Sequence, residues 1–239
     1  MMQIEPQLKS LRLNGMSSAW QALMESGRLN ELSFGEGMKI LLEAEKQQRE
    51  QNRFERLQRN ARFRYQAALQ EVSTDQARGL GKDLLASLAT GNYLQKGQSI
   101  LVTGPTGCGK SFLASALGHQ ACLQGYKVAY YNMQKLLKKI KIARLEGTAF
   151  KFFETTAKTD LLILDDFGMA RLEQKQQIDF MEIIEDRHAR KSTIIVSQLP
   201  VASWFDIIGE ATIADAILDR LVHTSHRIEL KGDSLRKIK

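Results

Sequence analysis

The spacing of apolar residues changes character part-way along this 239-residue chain. Up to about residue 65 they recur at roughly helical intervals (Leu8, Leu11, Met16, Ala19, Trp20, Leu23), and Gly27-Arg-Leu-Asn30 breaks the pattern. Ser33 and Glu36 have capping-box spacing ahead of Met38, Leu41 and Leu42, which predicts a long helix reaching about Phe63. Past residue 99 short apolar runs take over, at 100–102, 127–131, 160–166, 192–198 and 226–230, and each reads as a strand. Helical patterns over 112–121, 134–144, 174–188 and 213–221 separate them, with Ile178, Met181 and Ile184 expected inward on the third. Strands alternating with helices predict an α/β core behind an all-helical N-terminal domain of residues 1–65. Residues 66–82 turn polar and hold Gly79 and Gly81, so they read as the seam between the two domains. Residues 83–239 form the core domain, opening on a short helix at 83–89.

The chemistry concentrates after the first strand. Gly104-Pro105-Thr106-Gly107-Cys108-Gly109-Lys110-Ser111 fits the phosphate-binding loop: Gly, four residues, Gly, Lys, then Ser or Thr. Its glycines let successive N–H groups turn inward on an anion, and the following helix presents its positive end to the phosphates. Lys110 supplies a point charge for the β and γ phosphates of a nucleoside triphosphate, and the Ser111 hydroxyl can ligate Mg²⁺. The 160–166 strand ends in Asp165 and Asp166, the expected partners of such a loop, one for the Mg²⁺ shell and one to polarise the attacking water. Ser197 and Gln198 end the next strand, either to meet the γ phosphate or water, or to cap the strand. Asp166-Phe-Gly168 spells a protein-kinase metal motif, but no His-Arg-Asp loop accompanies it. No Asn-Lys-x-Asp motif points to GTP.

Charge adds a polyanionic partner. The chain has 34 Lys and Arg against 27 Asp and Glu, a net charge of +7. Lys46, Arg49, Arg53 and Arg56 share one face of the long helix, with Arg59, Arg62 and Arg64 following; the stripe is either a solvated face or a phosphate-neutralising one. Residues 134–144 hold Lys135, Lys138, Lys139 and Lys141 around a narrow stripe of Leu136, Ile140 and Ala143, without an acid, a pattern that favours nucleic-acid phosphates. Cys108 and Cys122 are the two cysteines, too few and ill-placed for a disulfide framework. With no secretory h-region in the first residues and no membrane-length apolar run, the expectation is a cytoplasmic protein with reduced thiols and no membrane partner.

The order of these pieces resembles the AAA+ ATPases. More closely, GPTGCGKS, LLILDDFG, STIIVSQLP and ATIADAILDRLVHTSHRIELKGDSLRK resemble the IstB family, helper ATPases of insertion-sequence transposition related to the DnaC helicase loaders. The resemblance implies a P-loop AAA+ core with a central parallel five-stranded sheet. It implies an N-terminal domain that helps grip duplex DNA, a homo-oligomer, DNA remodelling, and recruitment or stimulation of a partner transposase. Gln198 or Ser197 then matches the first sensor. Arg220 matches the arginine finger that reaches a neighbour's γ phosphate, unless it pairs with Asp215, Asp219 or another nearby acid; Arg187 and Arg236 are rivals for that role. Residues 135–144 fall where related initiators insert a helix along a DNA channel. Two departures stand out. Asp166 replaces the usual Glu, which implies slow turnover, and nine residues after Leu230 leave no room for a C-terminal lid domain. A helicase loader, and an architectural DNA-binding protein holding ATP as a structural ligand, are the alternatives.

Overall fold

A computed structural model of the chain describes residues 4–235, which divide into two compact units meeting between Arg56 and Leu57. The first unit is helical: α1 (Ile4–Ser10), α2 (Asn14–Glu25), a 3-10 turn at Arg28–Asn30, and α3 (Phe34–Ala61), which continues into the second unit. The expected capping box starts α3. Glu36 accepts from the Ser33 N–H at 2.9 Å, and the Ser33 hydroxyl accepts from the Glu36 N–H at 3.4 Å. Buried Glu45 fastens α2 to α3 by accepting from the N–H groups of Gly15 and Met16 at 2.8 and 3.2 Å. A carboxylate is favoured there because those N–H groups belong to the first turn of α2.

The division falls earlier than the expected boundary at residue 65. Leu57, Ala61, Ala67 and Leu80 are all buried, and the Phe63 ring meets Tyr130 edge-on at 6.3 Å. Apolar anchors thus bind residues 57–82, the supposed seam included, to the α/β unit. Within that stretch lie 3-10 turns at Leu69–Glu71 and Gln76–Arg78 and an antiparallel bridge between Asp75 and Leu80. Gly79 (φ +85°) lets the turn lie against the backbone at Glu229: a Cβ there would stand 1.9 Å from the Glu229 carbonyl oxygen.

The second unit continues through α4 (Lys82–Ala89), α5 (Asn92–Gln95), β1 (Ile100–Thr103), α6 (Lys110–Leu123), β2 (Val128–Asn132), α7 (Met133–Leu145) and α8 (Ala149–Ala157). It then runs through β3 (Leu161–Phe167), α9 (Gln174–Arg187), β4 (Ser192–Ser197), α10 (Trp204–Ile208), α11 (Ala211–Val222) and β5 (His226–Glu229). The strands make one parallel five-stranded sheet in the order β2-β3-β4-β1-β5. β1 and β4 are buried along their whole length and β3 at all but Asp166, as strands covered by helices on both faces must be. Because β1 lies beside β4, and β3 on β4's other side, the loops leaving their C-terminal ends converge on one edge, where open α/β sheets bind ligands.

One expectation about packing fails. Ile178 is 52% exposed, whereas Ile184 is buried as expected, together with Gln177, Asp179, Phe180, Ile183 and Arg187. Arg187, a candidate finger, has only 1% of its surface exposed. Its guanidinium donates to the carbonyls of Thr156 and Thr159 at 2.7 Å, to the Ser192 carbonyl, and to the Thr193 hydroxyl at 3.0 Å. It therefore stitches α8 and α9 to the start of β4, and burial pulls its pKa below the usual arginine range. Arg236, another candidate, lies outside the described residues. Arg187→Met should cost about 2–4 kcal/mol in urea denaturation, since it orphans buried carbonyls. A loss within experimental error would show that those carbonyls find other donors.

Candidate functional site

The phosphate-loop sequence spans the gap between β1 and α6. Gly107 (φ +87°) is approached closely by the chain's last described turn: a Cβ there would lie 2.1 Å from the Ser234 hydroxyl, and Leu235 N–H donates to the Gly107 carbonyl at 3.0 Å. Lys110 opens α6 and curls back, its ammonium donating to the Gly104 and Pro105 carbonyls at 2.7 Å each. Cys108 is 4% exposed, with its sulfur 3.9 Å from that ammonium. Both cysteines are free, and burial pushes the Cys122 thiol up to about 12.

Facing the loop is the end of β3. The pairing of β3 with β4 slips by one residue between Leu164 and Phe167, and the extra residue is Asp166, at φ +58°. A bulge of this kind re-aims side chains, and a non-glycine residue in the left-handed region costs energy that packing must offset. It leaves Asp165 buried (1% exposed) and Asp166 partly exposed. Asp165 Oδ1 accepts from the Ser111 hydroxyl at 3.0 Å and from the Asp166 N–H at 2.8 Å. Its Oδ2 accepts from the Tyr130 hydroxyl and from Arg64 Nη1 at 3.2 Å. The same Nη1 lies 3.1 Å from Asp166 Oδ2, which also accepts from Asn132 Nδ2 at 2.8 Å. Burial, followed by the bond to Asp165, drives the Tyr130 pKa well above the ordinary phenol value, so it donates at any physiological pH.

The end of β4 separates its two polar residues. Ser197 is fully buried, donating to the Phe167 carbonyl at 2.8 Å and accepting from the Leu199 N–H at 3.0 Å, so it caps the strand. Gln198 is exposed and reaches the loop, where its Oε1 accepts from the Thr106 hydroxyl at 2.8 Å. Arg220 lies elsewhere, on α11. Its Nε stands 2.5 Å from Glu185 Oε2, off the hydrogen-bond line, and its Nη1 donates to the Ala216 carbonyl at 2.9 Å. Its acid is therefore Glu185 rather than Asp215 or Asp219. On α7 the side chains of Lys135, Lys138, Lys139 and Lys141 are exposed while Leu136, Leu137, Ile140 and Ala143 are buried, and Lys139 sits 4.9 Å over the Tyr131 ring. On α3 Arg49 pairs with Glu45 at 2.7 Å; Arg53 and Arg56 are exposed.

A cavity of about 480 Å³ opens beside the loop. Thr106 to Leu113, Asp166 and Gln198 line one side, and Tyr65, Glu71, Val72, Arg78 and Leu80 the other. Tyr65 and Phe112, with ring centroids 6.3 Å apart and planes tilted by 53°, give the cavity an apolar aromatic lining. ATP fits this site: loop N–H groups, Lys110 and a helix N-terminus at one end, aromatic rings at the other. Mg²⁺ fits as well, because the Ser111 and Asp165 oxygens are hard donors 3.0 Å apart. Among the described residues no group of three or more His, Cys, Asp or Glu could hold a metal ion. Arg64, Tyr65, Tyr130 and Phe112 stand at this candidate site and were not singled out for it in the sequence: the 57–82 stretch brings Arg64 and Tyr65, β2 brings Tyr130, and Phe112 follows Ser111 directly on α6.

Residues 6–239 match the family model described as IstB-like ATP binding protein. An insertion-sequence ATP-binding protein of Sinorhizobium fredii is 41% identical over 96% of this chain and 94% of its own length. The IS21 ATP-binding protein of Pseudomonas aeruginosa is 27% identical over 99% and 89%. Among solved structures, the DnaC helicase loader superposes with a TM-score of 0.59 at 21% identity, covering 70% of this chain and 98% of that one. AMPPCP-bound DnaA from Aquifex aeolicus gives 0.60 at 20% identity, covering 74% and 53%. Those two likenesses extend to the AAA+ fold. No helix among the described residues is long and apolar enough to cross a membrane.

Tyr130→Phe takes one donor from a buried carboxylate and should cost about 1–3 kcal/mol in urea denaturation. No loss would mean that Arg64 and Ser111 satisfy Asp165 unaided.

Proposed function

This chain belongs to the IstB-like ATP-binding protein family, and from that premise we propose that it is the ATP-dependent helper of an insertion-sequence transposase. In this reading it assembles as a homo-oligomer on duplex DNA, remodels the target, and recruits or stimulates the transposase, with ATP hydrolysis resetting the assembly. The observation that carries it is the meeting of the Ser111 hydroxyl with Asp165, 3.0 Å apart, at the first turn of the helix that Lys110 opens. The names of the relatives, all tied to insertion sequences, support the transposition half.

The residues divide the work as follows. Lys110 exchanges the Gly104 and Pro105 carbonyls for the β and γ phosphates, and the loop N–H groups bind the rest of the triphosphate. Ser111 and Asp165 hold Mg²⁺, which neutralises charge on the transferring phosphoryl group. Asp166 orients and polarises the attacking water, and Gln198 meets the γ phosphate from the end of β4. Arg220 leaves Glu185 to reach the γ phosphate of a neighbouring subunit, which ties hydrolysis to assembly. The lysines of α7, with Arg53 and Arg56 on α3, neutralise DNA phosphates; Arg49 shares its charge with Glu45. The likeness of fold to a DnaC helicase loader favours a second reading, delivery of a replicative helicase to single strands. A transposase gene immediately upstream argues for the first reading, and a replication operon for the second.

Phosphate release should rise when duplex DNA is added; release indifferent to DNA, from a protein that stays monomeric with ATP, would overturn the proposal. Lys110→Ala should lose nucleotide binding and ATP-driven assembly together in sedimentation. Replacing Lys138, Lys139 and Lys141 with Ala should weaken DNA binding and lower the slope of log affinity against log salt by about 0.9 per lost contact. An unchanged slope would mean that α7 faces away from the DNA.

A further inference from the structure

Arg64 lies three residues past the end of α3, in a run that the sequence presents as surface charge. The fold carries it to the opposite role. Its Nη1 bridges Asp165 Oδ2 and Asp166 Oδ2, at 3.2 and 3.1 Å, and 41% of the side chain stays exposed to solvent. Asp165 is almost wholly buried, and a buried carboxylate is tolerated only with a counter-charge and hydrogen bonds. Lys110 does not provide that charge, because its ammonium is spent on two carbonyls of its own loop. Arg64 provides it, with the Tyr130 and Ser111 hydroxyls as neutral donors.

We propose that Arg64 is a resident counter-cation of the Asp165–Asp166 pair that Mg²⁺ must displace, so that this residue sets the metal concentration at which the nucleotide site loads. The inference rests on the reading of Asp165 as the metal acid. Mg²⁺ demands oxygen ligands at about 2.0–2.1 Å in an octahedron. Ser111 meets Asp165 Oδ1 and Arg64 holds Oδ2, so a metal seated beside Ser111 finds the guanidinium on the other oxygen of the same carboxylate, where it repels a divalent ion by like charge. The two cations therefore compete for one carboxylate. The flanking residues define how the exchange occurs. Phe63 packs on Tyr130 and would clash with any Cβ at Gly118, and Tyr65 packs on Phe112, so the backbone on both sides of Arg64 is pinned. The guanidinium leaves by rotating its own exposed side chain, not by unfolding the segment. Because it also lines the nucleotide cavity, it stays within reach of the triphosphate it has made room for.

The test is a Mg²⁺ titration of the binding of a fluorescent N-methylanthraniloyl ATP analogue to the full chain, with melting temperature measured alongside. In Arg64→Gln the half-saturating Mg²⁺ should fall by about tenfold, the worth of one charge-assisted hydrogen bond. The variant should melt lower than wild type without metal, and Mg²⁺ with ATP should raise its melting temperature by more than it raises that of wild type. A purely structural arginine would lower both melting temperatures alike and leave the Mg²⁺ midpoint unmoved or higher, and either midpoint result overturns the proposal. Arg64→Lys keeps the charge, but its ammonium ends one bond short of the Nη1 position that meets both acids, so its midpoint should fall between the others. If Arg64→Gln does not fold, a lysine midpoint at or above wild type is equally fatal. Failure of wild type to bind the analogue at any Mg²⁺ concentration would instead sink the nucleotide-site reading itself.

Discussion

One carboxylate gathers the second unit of this protein. Asp165 is 1% exposed, and its oxygens accept from Ser111 on α6, Tyr130 on β2, Arg64 in the stretch after α3, and the backbone of its own successor. Each donor comes from a different part of the chain, and each is needed because an ion in a low-dielectric interior must be surrounded by partners or given up. The requirement acts on the architecture. β2 must pair with β3 in the register that sets Asn132 beside Asp165, α6 must start where Ser111 faces the sheet, and residues 57–65 must lie across the edge. Buried strand cores such as Leu161–Leu164 supply the stabilisation, but they would tolerate other arrangements of similar volume. The carboxylate tolerates far fewer.

What the sequence revealed follows the same division. The strands, the helices between them and the loop of residues 104–111 were legible because hydrophobic period and glycine placement are local properties. The capping box at Ser33 and Glu36 was legible for the same reason. The failures are all matters of tertiary pairing. Ile178 has the right spacing for the core face of α9 but lies one position off the stripe led by Phe180 and Ile183. The boundary near residue 65 looked sensible because residues 66–82 are polar and glycine-bearing, yet Phe63, Ala67 and Leu80 anchor that stretch.

Arginine is the sharpest case. Arg64, Arg187 and Arg220 all stand in ordinary helical or post-helical sequence, and nothing in their neighbours tells them apart. One bridges two site acids, one is sealed under four backbone carbonyls and a threonine hydroxyl, and one pairs with a glutamate on the adjacent helix. The five donors of a guanidinium suit all three tasks, so the residue type carries no information about which task is performed. Only the set of acceptors that the fold presents can decide.

Asp166 links these constraints to chemistry. It occupies the left-handed region inside the bulge of β3, and its carboxylate is held by both Arg64 and Asn132. A carboxylate engaged by two donors has those lone pairs turned away from an attacking water. On the proposed mechanism it becomes effective only once Arg64 has gone, and the event that removes Arg64 is the arrival of the metal at Asp165. Loading and activation are then one exchange of cations rather than two separate steps.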